Sequence, residues 1–134
     1  MGLIYLDTCL LIYALEDHPR FGLPVRQRLA QVAPERLAIS PLVHLECTVG
    51  PMKSGNLLLQ QRYEEGLRRL VCLPLPEPVY LLAARLRAQF GLRTPDAIHL
   101  AAAQFHRADE LWTNDDRLAA AGGGLALNVL QPDT

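Results

Sequence analysis

The stretch Leu3-Ile4-Tyr5-Leu6-Asp7-Thr8, LIYLDT at residues 3–8, decides the fold class. Four apolar residues run without a polar break and then meet a carboxylate. A short run with no alternation suits a strand covered on both faces, as in a parallel sheet flanked by helices. Asp7 then stands at the carboxyl end of a central strand, the edge where ligands bind in open α/β sheets. An acid there is costly unless a cation or hydrogen-bond donors meet it. What else reaches that edge is therefore the first question for the remaining chain.

Downstream, Cys9 to Leu15 predicts a short apolar helix ending near Glu16, before the Asp17-His18-Pro19 turn. Phe21 to Val32 has helical spacing at Phe21, Val25, Leu29 and Val32, and Pro34 stops it. Leu37 to Ile39 reads as a second short strand. Ser40-Pro41 predicts a helix cap followed by proline at the first helical position. That helix carries Val43, Glu46, Cys47 and Gly50 along one side, and Pro51 is expected to end it. Ser54 is expected to cap the next helix, which runs to about Leu70. Val71 to Leu73 is a third strand, cut by Pro74. Pro78 to Phe90 is helical, with Val79, Leu82, Ala83, Leu86 and Phe90 on one face and Gly91 closing it.

Thr94-Pro95-Asp96 opens another helix, with Thr94 as its expected cap. From Ala97 to Phe105 that helix is apolar almost all round, which suits a central position. Glu110 to Thr113 is a fourth strand. Arg117 to Ala121 is a last helical turn or two before Gly122-Gly123-Gly124, and Leu125 to Leu130 is a fifth strand at the sheet edge. Alternating short strands and helices predict an α/β three-layer sandwich: a mostly parallel sheet of four to five strands with helices on both faces. Helix should exceed strand.

The chain has 134 residues, enough for a real core in one domain spanning 1–134, with no repeat and no linker. Hydrophobic residues make up 50% and charged residues 20%, a globular balance. The formal net charge of -1 gives no global basic field to attract nucleic acid. Of 13 basic residues only Lys53 is lysine; the arginine excess suits phosphate contacts, or a GC-rich genome. Cys9, Cys47 and Cys72 are odd in number and form no CxxC pair, which points to a reducing compartment. No basic n-region, no myristoylation pattern and no run near roughly 18 apolar residues is present, so a soluble cytosolic protein is expected.

Three further acids occupy places comparable to that of Asp7. Glu46 is about one and a half turns into a helix that follows a strand. Asp96 is in the first turn of the apolar helix, and Asp115 follows a strand end, with Asp116 beside it. Each also has a purely structural explanation. Asp7 suits backbone hydrogen bonds, Asp96 the helix dipole at roughly 0.3–1 kcal/mol, Asp115 or Asp116 a helix cap, and Glu46 a solvated helix face. Together they are harder to explain away. Four acids at one edge repel one another unless cations neutralise them. Oxygen donors without His or Cys select Mg²⁺ or Mn²⁺, a site suited to phosphoryl chemistry.

The segments LIYLDTCLLIYALE (3–16), SPLVHLE (40–46), RTPDAIHLAAA (93–103) and LWTNDDRL (111–118) resemble the PIN domain, and specifically the VapC toxins of bacterial and archaeal toxin–antitoxin pairs. The resemblance spans nearly the whole chain in order, and TPDAIHLAAA with WTNDDRL is its most specific part. It implies a Mg²⁺- or Mn²⁺-dependent endoribonuclease whose acidic quartet falls on Asp7, Glu46, Asp96 and Asp115. Asp115 is chosen over Asp116 because it fits the family's Thr-x-Asp pattern through Thr113. The resemblance also implies products with 5′-phosphate and 3′-hydroxyl ends, a homodimer, and a cognate antitoxin that occludes the site. Cys9 stands where relatives often have a small polar residue, and packing is its expected role.

Asp7 and Asp96 are the expected direct metal ligands, with Glu46 and Asp115 completing the site. Thr8 and Thr113 are expected to support those ligands through their hydroxyls. His99, three residues after Asp96, reads first as a packed, hydrogen-bonded core histidine, and second as a group that orients substrate or a ligand. Arg93 is the expected substrate-binding arginine; a solvated face is the default for Arg62, Arg68, Arg69 and Arg85. A zinc site from Cys9, Cys47 and His44 lacks the usual spacing. Leu10, Leu11, Tyr13 and Ala14, with Leu57, Leu58 and Leu59, offer apolar surface that half belongs to the core and half suits an interface. Two other phosphoryl-transfer folds fit poorly: a receiver domain needs a second acid beside Asp7 and a late lysine, and a haloacid-dehalogenase phosphatase needs an Asp where Cys9 stands. The alternative from a different class is a catalytically silent PIN-like module that binds RNA or protein.

Overall fold

Both faces of the first strand are covered, which is why it shows no alternation. In the computed structural model, which describes residues 2–130, β1 (Ile4–Leu6) is buried throughout. It is followed by α1 (Thr8–Leu15), α2 (Gly22–Ala30), a single 3-10 turn at Pro34–Arg36, and β2 (Leu37–Ile39). Then come α3 (Pro41–Ser54), α4 (Leu57–Arg68), β3 (Val71–Cys72), α5 (Glu77–Phe90) and α6 (Thr94–Phe105). The described chain closes with β4 (Glu110–Thr113), α7 (Asp116–Ala121) and β5 (Ala126–Asn128).

The five strands are ordered β3-β2-β1-β4-β5 and every pairing is parallel. The chain moves outward from β1 through β2 to β3, then returns to the other side of β1 for β4 and β5. Right-handed crossovers then place α1 to α4 on one face and α5 to α7 on the other. The helix contacts agree: α1 packs on α2, α3 and α4, while α6 packs on α5 and α7. The order reverses between β1 and β4, the point where crevices open in such sheets. Asp7 lies there, its backbone N–H donating to Trp112 O at 2.9 Å.

The core fills the space between these layers with Tyr5, Leu6, Leu10, Ile39, Val43, Leu100, Leu111 and Leu118. α6 is buried from Ala97 to Ala103, as its composition predicts. Its four alanines let the helix lie close to the sheet.

Several expected boundaries move. Pro51 does not end α3; it sits buried inside it, and the helix continues to Ser54. Proline removes one donor there, and the real stop is Gly55 in the left-handed conformation, φ 72°, as glycine at a helix end permits. Ser54 does not cap α4, because it is still part of α3; Asn56 does, its Oδ1 accepting from Leu59 N at 3.1 Å. Ser40 and Thr94 also make no capping bond. Ser40 occupies the cap position but turns its hydroxyl to Tyr5, and the α6 cap position falls on Arg93. β3 and β5 are shorter than expected, since the ladder pairs only Val71, Cys72, and Ala126 to Asn128.

Candidate metal and RNA site

Four segments far apart in the chain meet in one cleft above the β1–β4 boundary. Its volume is about 530 Å³, and its lining includes Asp7, Glu46, Asp96 and Asp115, with Thr8, Cys9, Arg93 and Asp116. Parallel strands deliver Asp7, Glu46 and Asp115 to this edge, because each lies in the segment that follows a strand's carboxyl end; Asp96 comes instead from the first turn of α6, which follows α5.

Asp7 is 7% exposed. Its Oδ2 accepts from Thr113 Oγ1 at 2.7 Å and from the Cys9 thiol at 3.6 Å. Its Oδ1 is 3.8 Å from His99 Nε2. Burial, then the charge of Asp7, pushes the Cys9 thiol up to about 12, so Cys9 remains a neutral donor.

Glu46 reaches in from α3. Thr8 donates to its Oε1 at 2.7 Å, and His99 Nε2 lies 2.7 Å from the same oxygen. Burial pushes the Glu46 carboxyl upward, but the hydrogen bonds from His99 and Thr8 and the charge of Arg93 outweigh it. The net effect holds Glu46 below the ordinary carboxylate value.

Asp96 behaves in the opposite way. Burial raises it, and its hydrogen bond and ion pair with Arg93 only partly offset this. The negative charges of Asp7 and Asp115 raise it further, and it stays above the ordinary value. Arg93 Nε is 3.1 Å from Asp96 Oδ2, and Arg93 Nη2 is 3.9 Å from Asp115 Oδ2.

Asp115 is both a cap and part of the cleft. Its Oδ1 accepts from the Arg117 and Leu118 backbone at 2.8 and 3.3 Å, fixing the start of α7. Its Oδ2 faces Arg93. Asp116 lines the same cleft, with its Oδ1 bonded to Asn128 Nδ2 at 2.8 Å.

A model of the PIN domain matches residues 4–124. The chain belongs to the PIN domain family. Solved structures agree on the fold. A toxin–antitoxin complex from Klebsiella pneumoniae is 27% identical, with a TM-score of 0.80 over 96% of this chain and 99% of that one. VapBC2 from Rickettsia felis, bound to a DNA fragment of its promoter, is 22% identical, with a TM-score of 0.79 over 94% and 98%. VapC20 from Mycobacterium tuberculosis, a sarcin-ricin loop cleaving toxin, is 15% identical, with a TM-score of 0.74 over 89% and 95%. No curated protein is significantly similar to the chain.

In this PIN domain the donor set fits a hard divalent cation. It is all oxygen, and Asp96 carries the cost of having Asp7 and Asp115 nearby. Among the described residues, no three or more His, Cys, Asp or Glu side chains are grouped to hold an ion as they stand. The contacts explain this. Glu46 is turned toward His99, and Arg93 lies against both Asp96 and Asp115.

The supports expected at Thr8 and Thr113 touch the acids directly. Arg93 lines the cleft; Arg62 instead bonds Leu15 O at 3.0 Å, and Arg69 lines a separate cavity beneath α4. Cys47 lies in the core and His44 is exposed. Leu10 and Leu11 are buried, whereas Leu57 and Leu58 are exposed. His99 is buried as expected, yet it bonds Glu46 on another helix rather than the nearby Asp96. Sequence reasoning missed Tyr5, Tyr13 and Asn114. Tyr13 and Asn114 line the cleft and bond each other at 3.3 Å. For Tyr5 a signal existed: a tyrosine in a covered strand needs a partner for its hydroxyl.

Proposed function

We propose that this PIN domain is a Mg²⁺- or Mn²⁺-dependent endoribonuclease and the toxin of a VapBC-type toxin–antitoxin pair. The observation that carries the reading is the cleft itself. Four carboxylates from four segments converge there, and one of them, Asp96, is raised first by burial and then by the charges of Asp7 and Asp115. Asp7 and Asp96 would hold the cation, with Glu46 and Asp115 completing its surroundings. Asp115 is preferred to Asp116, because Asp116 is tied to Asn128. When bound, the ion supplies an acidified water and stabilises charge developing on a phosphodiester. The chain's own contribution is orientation. Thr113 fixes Asp7, Thr8 and His99 fix Glu46, and the α7 cap fixes Asp115. Arg93, exposed at the mouth, is placed to meet an RNA phosphate once it leaves Asp96. Hydrolysis in which water attacks phosphorus and the 3′ oxygen departs, taking up a proton, would leave 5′-phosphate and 3′-hydroxyl ends.

The Klebsiella pneumoniae complex supports an antitoxin partner for this chain. Exposed Leu45, Val49 and Met52, at helical spacing on α3, support a homodimer. All three cysteines are free, which supports a cytoplasmic location. Among the described residues no helix is long and apolar enough to cross a membrane.

A second reading rests on Arg93. It already supplies positive charge to Asp96 and Asp115, as a silent RNA- or protein-binding module would require. Calorimetric titration with MnCl₂ separates the two. Binding by the native chain that is lost in Asp96→Asn supports the nuclease. No binding by the native chain supports the silent module.

A further inference from the structure

Behind Glu46 runs a line of buried polar side chains that crosses from one layer of the fold to the other. Both hydrogen bonds that protein groups give to Glu46 fall on Oε1. An ionised carboxylate only accepts, so the His99 nitrogen facing it, Nε2, carries a proton. On the far side of the ring, His99 Nδ1 is 2.7 Å from the Tyr5 hydroxyl. That hydroxyl is in turn 2.7 Å from Ser40 Oγ. In a neutral imidazole protonated at Nε2, Nδ1 is an acceptor. Tyr5 therefore donates to His99 and accepts from Ser40.

The line is sealed from solvent. Tyr5 and Ser40 are fully buried and His99 is 1% exposed. An unmet polar atom there would be costly. Among the described residues no buried side-chain nitrogen or oxygen lacks a partner. A histidine that only fills space needs no ordered row of donors. Here the row begins at the end of β2, passes through β1, and ends on a carboxylate that lines the cleft.

We propose that His99 is a positioning residue for Glu46: the Ser40–Tyr5 pair holds its ring through Nδ1, so that Nε2–H pins Oε1 and leaves Oε2 for the cleft. The proposal rests on the nuclease reading, because a fixed carboxylate matters where a cation and an RNA phosphate must both be placed. Thr8 works beside His99, donating to the same oxygen from the start of α1. Partners of this kind typically affect metal affinity or activity by about 10–100-fold.

The test uses the full chain and three variants: His99→Phe, His99→Gln and Tyr5→Phe. Imidazole ¹⁵N spectra at neutral pH, MnCl₂ titration and single-turnover RNA cleavage are measured for each. The wild type should show His99 protonated at Nε2, with Nδ1 bare. His99→Phe should weaken Mn²⁺ binding and cleavage roughly 10–100-fold. His99→Gln, whose amide can donate to Glu46, should recover part of both. Tyr5→Phe, which leaves the Nδ1 side of the ring unheld, should keep the Nε2–H tautomer and give a smaller loss in the same direction. A wild-type Nδ1–H tautomer overturns the proposal, as does a folded His99→Phe with unchanged Mn²⁺ affinity. Should His99→Phe not fold, Tyr5→Phe decides: unchanged Mn²⁺ affinity overturns it. Wild-type protein that neither binds Mn²⁺ nor cuts RNA overturns the nuclease reading instead. The ¹⁵N spectrum of the wild type then decides the positioning alone.

Discussion

Thr113 donates its hydroxyl to Asp7 Oδ2 at 2.7 Å, across 106 residues of sequence and between the neighbouring strands β4 and β1. The same Thr113 oxygen accepts from Asp115 N at 3.0 Å. One buried hydroxyl thus ties two of the four acids to each other. Thr113→Val keeps the shape and removes both bonds. It should cost about 1–3 kcal/mol of stability and roughly 10–100-fold in Mn²⁺ affinity. Thr113→Ser should restore most of each. Chemical denaturation and MnCl₂ calorimetry check this.

Asp7→Asn should abolish metal-dependent RNA cleavage while the chain stays folded. The amide keeps the volume and an acceptor for Thr113, and it removes one charge from a crowded cleft. The thermal midpoint should therefore hold or rise, as is common when a functional site is neutralised. Cleavage of end-labelled RNA and a thermal melt together make the measurement. Full activity in the variant would remove Asp7 from the site.

Charge reversal at Arg93 should separate RNA binding from metal binding. Arg93→Glu adds an acid beside Asp96 and Asp115, so Mn²⁺ affinity should not fall. The KM for RNA should rise, because the cation placed for phosphate is gone. Unchanged cleavage kinetics would show that Arg93 does not meet substrate.

The two shifted acids give opposite pH signatures in metal-free protein. Asp96 sits above its ordinary value of 3.8 when folded. The folded state then binds the proton more tightly, and Asp96 costs stability as pH rises through the interval above 3.8. Glu46 sits below its ordinary value of 4.5. It contributes stability above 4.5 that is lost as pH falls through the folded value. At pH 7, Asp96→Asn should therefore be more stable than wild type and Glu46→Gln less stable, and both differences should shrink in acid. Denaturant melts from pH 3 to 7 with a chelator present test the signs.

The α3 stripe should carry self-association. Leu45, Val49 and Met52 are each half or more exposed, and apolar surface repeated at helical spacing is costly to leave in water. Val49→Glu should shift sedimentation from dimer to monomer without loss of helical signal. A monomeric wild type at micromolar concentration would contradict this.

Most of the fold was legible because its signals are local. LIYLDT marks a covered strand, and Ala97–Ala103 marks a central helix; both depend on apolar runs that no other placement satisfies. Element ends were less legible. Pro51 looked like a stop, yet its burial within α3 and the left-handed Gly55 beyond it let the helix run on. Ser40 and Thr94 looked like caps, but capping competes with tertiary partners. Ser40 found Tyr5, and the α6 cap position fell on Arg93.

The sequence by itself determined the alternation of strand and helix, hence the parallel sheet, hence an edge where Asp7, Glu46 and Asp115 arrive. That follows from apolar patterning and crossover handedness alone. Asp96, which opens a helix that follows another helix, joins them through the packing of α6. Only the tertiary structure decided what each acid touches: Asp7 against Thr113, Glu46 against Thr8 and His99, Asp96 and Asp115 against Arg93. The physical reason is range. Strand and helix signals act over a few residues, whereas a hydrogen bond between residues 5 and 99 exists only after the layers have packed.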